Sequence, residues 1–233
     1  MVSGASESGQ QGMSPARLET LADGIFAIAM TLLVLNVQVP QIPAHLVGER
    51  LPRALFDLWP RFLSFALSFV VVGVYWVGHH NQFHYVRRVD RPFMWLNILF
   101  LMCIAFVPFS AALLGQYVHQ QIAVAIYGLN LVVVGAVLYL IWWYATSGRR
   151  LVDPDLSPRV VQAGGRRVLA GVVSYLAAVC LSLASITLSV ALYILVPILY
   201  ILPGRIDRHL MGRLTPSDAV PESRPRTRPT SPP

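Results

Sequence analysis

The chain has 233 residues, 55% of them apolar and 12% charged, about half the charged fraction of an ordinary soluble domain. All 18 basic residues are arginines, set against 11 acids for a formal net charge of +7. They lie between apolar runs, which points to lipid headgroups rather than a nucleic-acid partner and leaves an integral membrane protein. Cys103 and Cys180 sit inside apolar stretches as small hydrophobes, so no disulfide framework or zinc site is argued from them.

Residues 1–14 form a polar N-terminal tail without a basic start or an apolar run, unlike a cleaved signal peptide. About 20 mostly apolar residues are needed to cross a hydrocarbon core. The first such window is Leu21–Val39, interrupted by Asp23. The connection Gln38–Asp57, with Pro40, Pro43 and Pro52, reads as a loop or a short helix lying on the surface. Uncharged windows follow at Phe62–Gly78, Phe93–Leu114 and Ile122–Ala145. The last apolar stretch, Val168–Leu202, overshoots a bilayer by roughly 20 Å as one helix, so two short spans with a turn near Ser182–Thr187 fit better.

That gives an all-α membrane protein with six transmembrane helices. Arginine placement supports the count, because cytoplasmic loops carry the basic excess. Six passes collect Arg17, Arg87, Arg88, Arg91, Arg149, Arg150, Arg159, Arg166, Arg167 and the arginines from Arg205 to Arg228 on one side, leaving Arg50, Arg53 and Arg61 on the other. Both termini are then cytoplasmic. Residues 15–208 form the membrane domain, and the Pro- and Arg-rich tail 209–233 is expected to be disordered.

Asp23 is the residue that asks for an explanation, since a carboxylate in mid-membrane costs about 2.5–3.5 kcal/mol. Arg17 is about 600° away along a helix, so the two side chains diverge by roughly 120° and do not pair. The partners must come from other helices. Trp76, His79, His80 and Asn97 fall at a similar depth and make a reasonable polar cluster with Asp23. His79, His80 and His84 lie close together, but His45, His119 and His209 are scattered, so a metal centre is the minor reading.

On a helical wheel Leu21, Gly24, Ile28, Thr31, Leu32 and Leu35 fall within about 60° of Ile28, whereas Asp23 lies about 140° away. This apolar stripe with one hydroxyl can face lipid, pack on a neighbouring helix, or line a narrow pore.

The run Arg17-Leu-Glu-Thr-Leu21-Ala22-Asp23-Gly24-Ile-Phe-Ala-Ile28-Ala-Met-Thr31-Leu-Leu-Val-Leu35 resembles the first helix of the lysosomal potassium channel family of transmembrane protein 175 and its prokaryotic homologues. Further points of resemblance are Ser68-Phe69, Trp76-Val-Gly-His79-His80-Asn-Gln-Phe83, Asn97-Ile-Leu-Phe-Leu, Val107-Pro108-Phe109 and Tyr193…Pro197…Tyr200-Ile-Leu-Pro203-Gly-Arg205. Together they run from about residue 15 to 208. The family hallmark is Arg, three residues, then Phe-Ser-Asp; here Leu21 and Ala22 stand in place of Phe and Ser.

The resemblance implies a homotetrameric potassium-permeable cation channel in a prokaryotic plasma membrane, with no catalysis and no cofactor, and with potassium ions as the permeant species. The pore would be lined by the first helix of each subunit, with constriction rings at Ile28, Leu32 and Leu35 and a potassium-selecting hydroxyl ring at Thr31. It implies no re-entrant carbonyl filter, and no TVGYG-like loop occurs in the sequence. Arg17 and Asp23 would belong to the tie between the first helix and Trp76, His79, His80 and Asn97. A proton-coupled secondary transporter, with Asp23 and a histidine relaying protons, is the competing expectation.

Overall fold

A computed structural model describes residues 14–201. The described residues form seven α-helices: α1 (Pro15–Val34), α2 (Val47–Phe56), α3 (Trp59–Phe83), α4 (Arg91–Gln116), α5 (Gln121–Thr146), α6 (Pro158–Ser182) and α7 (Ile186–Ile201). The N-terminal tail up to Met13 and the C-terminal tail 209–233 lie outside the described residues.

The expectation of six transmembrane helices is corrected by these elements. Among the described residues, four helical stretches are long and apolar enough to cross a membrane: Trp59–Phe83, Arg91–Gln116, Gln121–Arg149 and Pro158–Ser182. α1 is 20 residues long but carries Arg17, Glu19 and Asp23 within its first nine residues. The described part of α7 has 16 residues, short of the roughly 20 that a crossing requires. Sidedness deduced from six passes loses its basis with that count; the all-α membrane class stands.

Helix starts follow local chemistry. Asp90 caps α4 by accepting from the Phe93 amide at 3.0 Å, with Pro92 in the first turn. Ser157 and Pro158 open α6 in the same way, ten residues before the apolar window begins. The long apolar stretch breaks at Leu183–Ser185, between α6 and α7. The connection after α1 contains the surface helix α2.

Lipid is as apolar as leucine, so burial alone does not bring such helices together; packing of small residues and interhelical hydrogen bonds do. The Gly128 backbone lies so close to Tyr193 and Val179 that a Cβ there would collide with the Tyr193 hydroxyl oxygen. That hydroxyl donates to the Val124 carbonyl at 3.1 Å, joining α7 to α5. Ser64 donates to the Ala111 carbonyl at 2.6 Å, Tyr75 to the Leu131 carbonyl at 2.7 Å and Asn130 to Ser110 at 3.0 Å, binding α3, α4 and α5. Each such bond contributes on the order of 0.6 kcal/mol.

At one end of the bundle the connection after α3 meets the connection after α5. The Arg87 amide donates to the Leu151 carbonyl at 2.8 Å, Val86 and Val152 form an antiparallel bridge, and the Tyr144 hydroxyl donates to Asp90 at 2.7 Å. The starts of α1, α4 and α6 and the ends of α3, α5 and α7 gather there, linked by Glu19 to His80, Trp142 to the Val161 carbonyl, and Arg167 to the Tyr200 carbonyl. Nine of the twelve described arginines belong to this end, and Arg50, Arg53 and Arg61 to the other.

Candidate functional site

α1 has three distinct sides. Leu18, Ala22, Phe26, Ala29 and Leu33 are buried against α3 and α4. Glu19 and Asp23, one turn apart, face α3 through polar contacts. The third side, Leu21, Gly24, Ile28, Thr31, Leu32 and Leu35, is left exposed by the chain's own packing; Ile28 is 56% and Leu35 66% accessible. Asp23 lies off this stripe, bonded to Trp76 of α3.

Within the stripe Thr31 donates its hydroxyl proton to the Ile28 carbonyl at 2.8 Å. Its hydroxyl oxygen keeps its acceptor capacity.

The anticipated polar cluster divides in two. In its outer part the Trp76 indole N–H donates to Asp23 Oδ1 at 2.8 Å. His80 Nδ1 lies 2.8 Å from Glu19 Oε1, and the Trp76 and His80 rings stack. These groups are exposed or half-buried in the protomer, so Asp23 is held by a neighbouring helix without being enclosed. In the inner part His79 Nε2 meets Asn97 Oδ1 at 3.0 Å, while Asn97 Nδ2 donates to the Phe93 carbonyl at 2.8 Å. Because Asn97 turns its oxygen to the ring, the contact makes His79 Nε2 the donor. Both residues are buried, and the imidazole stacks parallel to Phe100 at 5.1 Å between centroids.

Arg17 is exposed at the start of α1 and does not join either group. Ala22 lies in the apolar core of α1, and Leu21 on the exposed stripe. Glu19, Phe26 and Phe100 were not singled out from the sequence. Glu19 was legible in principle, since its four-residue spacing from Asp23 matches the spacing of His80 from Trp76. Among the described residues no group of three His, Cys, Asp or Glu side chains is placed to hold a metal ion.

Against known proteins, residues 17–108 match the family described as endosomal/lysosomal potassium channel TMEM175. A Streptomyces collinus protein named as a potassium channel is 38% identical over 159 residues, 66% of this chain and 76% of the relative. The Gallus gallus endosomal/lysosomal proton channel TMEM175 is 34% identical over 114 residues, 47% of this chain and 23% of its own length. The crystal structure of a lysosomal potassium-selective channel TMEM175 homologue from Chamaesiphon minutus aligns with a TM-score of 0.71 at 35% identity, covering 80% of this chain and 95% of that one.

Proposed function

The chain belongs to the TMEM175 channel family, and on that footing we propose that it is a potassium-permeable cation channel of a prokaryotic cell membrane. Copies of the chain, four in number, surround an axis lined by their α1 helices. Ions pass down their electrochemical gradient without a cofactor or covalent step. The arginine-rich end of the bundle faces the cytoplasm, where basic residues concentrate, which places the start of α1 on that side.

One observation carries this reading. α1 buries its opposite side in the protomer yet leaves a continuous stripe uncovered, with Ile28, Leu32 and Leu35 around a single hydroxyl at Thr31. Apolar rings of this kind gate a pore by dewetting, and a hydroxyl ring gives a partly dehydrated cation oxygen ligands. The two acids of α1, Asp23 and Glu19, are met by α3, which suits a helix surrounded by protein.

The test is flux through the purified protein in liposomes, with the subunit number of the particle measured alongside. A passive channel passes potassium at a high unitary rate without a proton gradient. Potassium movement that stops when the proton gradient is collapsed identifies a proton-coupled transporter instead, and a particle without four-fold symmetry removes the shared axis.

A further inference from the structure

At the arginine-poor end, the segments around the start of α3 and the turn between α4 and α5 enclose an open cavity of about 650 Å³, within the usual range for small-ligand sites. Its lining carries unused polar capacity. Gln38 and Gln41 follow α1, Asp57 and Arg61 flank the start of α3, and His119 and Gln120 lie in the α4–α5 turn. Among the described residues none of these six side chains makes a hydrogen bond or ion pair within the chain. Asp57 and Arg61 stand four residues apart and still do not pair with each other.

The guanidinium is presented from a fixed base. α4 approaches α3 so closely at Gly115 that a Cβ there would lie 3.2 Å from both Arg61 Cα and Ser64 Cβ, and the Ser64 hydroxyl bond to Ala111 holds the same contact. The depth is equally defined, because helices able to cross a membrane begin at Trp59, end at Gln116 and begin again at Gln121. Such ends lie at the headgroup layer. Beside the cavity Leu55, Phe56, Trp59 and Phe62 are exposed, Phe56 at 80% and Trp59 at 63%. Trp at a helix end is a typical interfacial anchor.

We propose that this cavity binds a lipid headgroup carrying both a phosphate and an ammonium. Arg61, with His119 beside it, takes the phosphate through charge-assisted N–H bonds. Asp57 takes the ammonium, and the glutamine amides complete the shell. The acyl chains lie along the exposed apolar residues Phe56 and Trp59, which is why a lipid fits better than a free zwitterion of the same chemistry. The proposal rests on the chain being embedded in a membrane and is independent of conduction.

Native mass spectrometry of the full chain in detergent tests it, with phosphatidylethanolamine, phosphatidylglycerol and soluble glycerophosphoethanolamine as probes. The expected result is retention of phosphatidylethanolamine about tenfold tighter than phosphatidylglycerol, the difference one charge-assisted contact makes. Asp57→Asn should erase that preference, and Arg61→Gln should weaken both lipids. Equal retention of the two lipids, or a preference unchanged in Asp57→Asn, overturns the headgroup assignment. Soluble glycerophosphoethanolamine binding as tightly as the lipid overturns the membrane source. Asp57 is exposed and makes no side-chain contact that folding depends on, so this variant decides the matter even where Arg61→Gln lowers the yield.

Discussion

Trp76 donates its indole N–H to Asp23 at 2.8 Å, and one turn along each helix His80 meets Glu19 at the same separation. The two contacts form an antiparallel ladder, since the step from Asp23 to Glu19 runs toward the start of α1 while the step from Trp76 to His80 runs toward the end of α3. Trp76→Phe removes the only donor to Asp23 among the described residues while keeping a ring beside His80. It should destabilise the detergent-solubilised protein by about 1 kcal/mol, since the exposed setting keeps the contribution small. Asp23→Asn retains an amide oxygen for the indole and should lower the thermal midpoint less than Asp23→Ala. Equal losses for the Asn and Ala variants would show that the charge, rather than the hydrogen bond, holds α1 to α3.

His79 and Asn97 are a different kind of pair, because both are buried and each has a bond that only the other satisfies. Asn97→Leu should leave a ring N–H without an acceptor and cost about 1–3 kcal/mol. Adding His79→Phe in that background should recover part of the loss, since two apolar partners stacked on Phe100 leave nothing unpaired. Thermal melts of the two single variants and the double variant measure the coupling. Additive losses would mean that the ring is held by stacking alone.

Much of this arrangement can be read from residue order, and the gaps have physical causes. Apolar windows located the middles of the long helices because lipid demands continuous apolar surface. They missed where α1 and α6 begin, at Pro15 and Pro158, because polar first turns are helical through caps and neighbouring helices rather than hydropathy. The same blindness hid Glu19, which lies in the polar start of α1 before the first apolar window. Length reading also granted a crossing to α7, whose 16 described residues reach about 24 Å. The joint cluster around Asp23 divided because adjacent residues point about 100° apart on a helix, so His79 and His80 do not serve one carboxylate together.

Two glycines on different helices should respond in opposite ways to alanine. At Gly128 the added methyl group meets Tyr193 and a Val179 methyl at 2.5 Å, both inside the packed bundle. Gly128→Ala should cost about 1–3 kcal/mol or more by overpacking and reduce the folded yield. Gly24 has nothing within 4 Å of such a methyl group in the protomer, and alanine there favours the helix by about 0.5–1 kcal/mol. Gly24→Ala should therefore leave folding intact while reducing the tetramer fraction or ion flux, because in the proposed assembly the added methyl group would meet another copy. Unaltered assembly and flux would place the α1 stripe away from the subunit axis.

Thr31 tests the pore most directly. Its hydroxyl proton is committed to the Ile28 carbonyl at 2.8 Å, so the oxygen keeps acceptor capacity, and in the proposed tetramer four copies would form a ring of oxygens. Thr31→Val keeps the shape and removes that oxygen; the potassium over sodium preference should fall while conduction persists. Ile28→Asn acts on the proposed apolar ring, where an amide would invite water into the constriction, and should raise the basal leak. Reversal potentials in planar bilayers under opposed potassium and sodium gradients read the first effect, and current without stimulus reads the second. Wild-type values for both variants would remove α1 from the ion path, since no other role of the stripe predicts that one substitution alters selectivity and its neighbour alters closure.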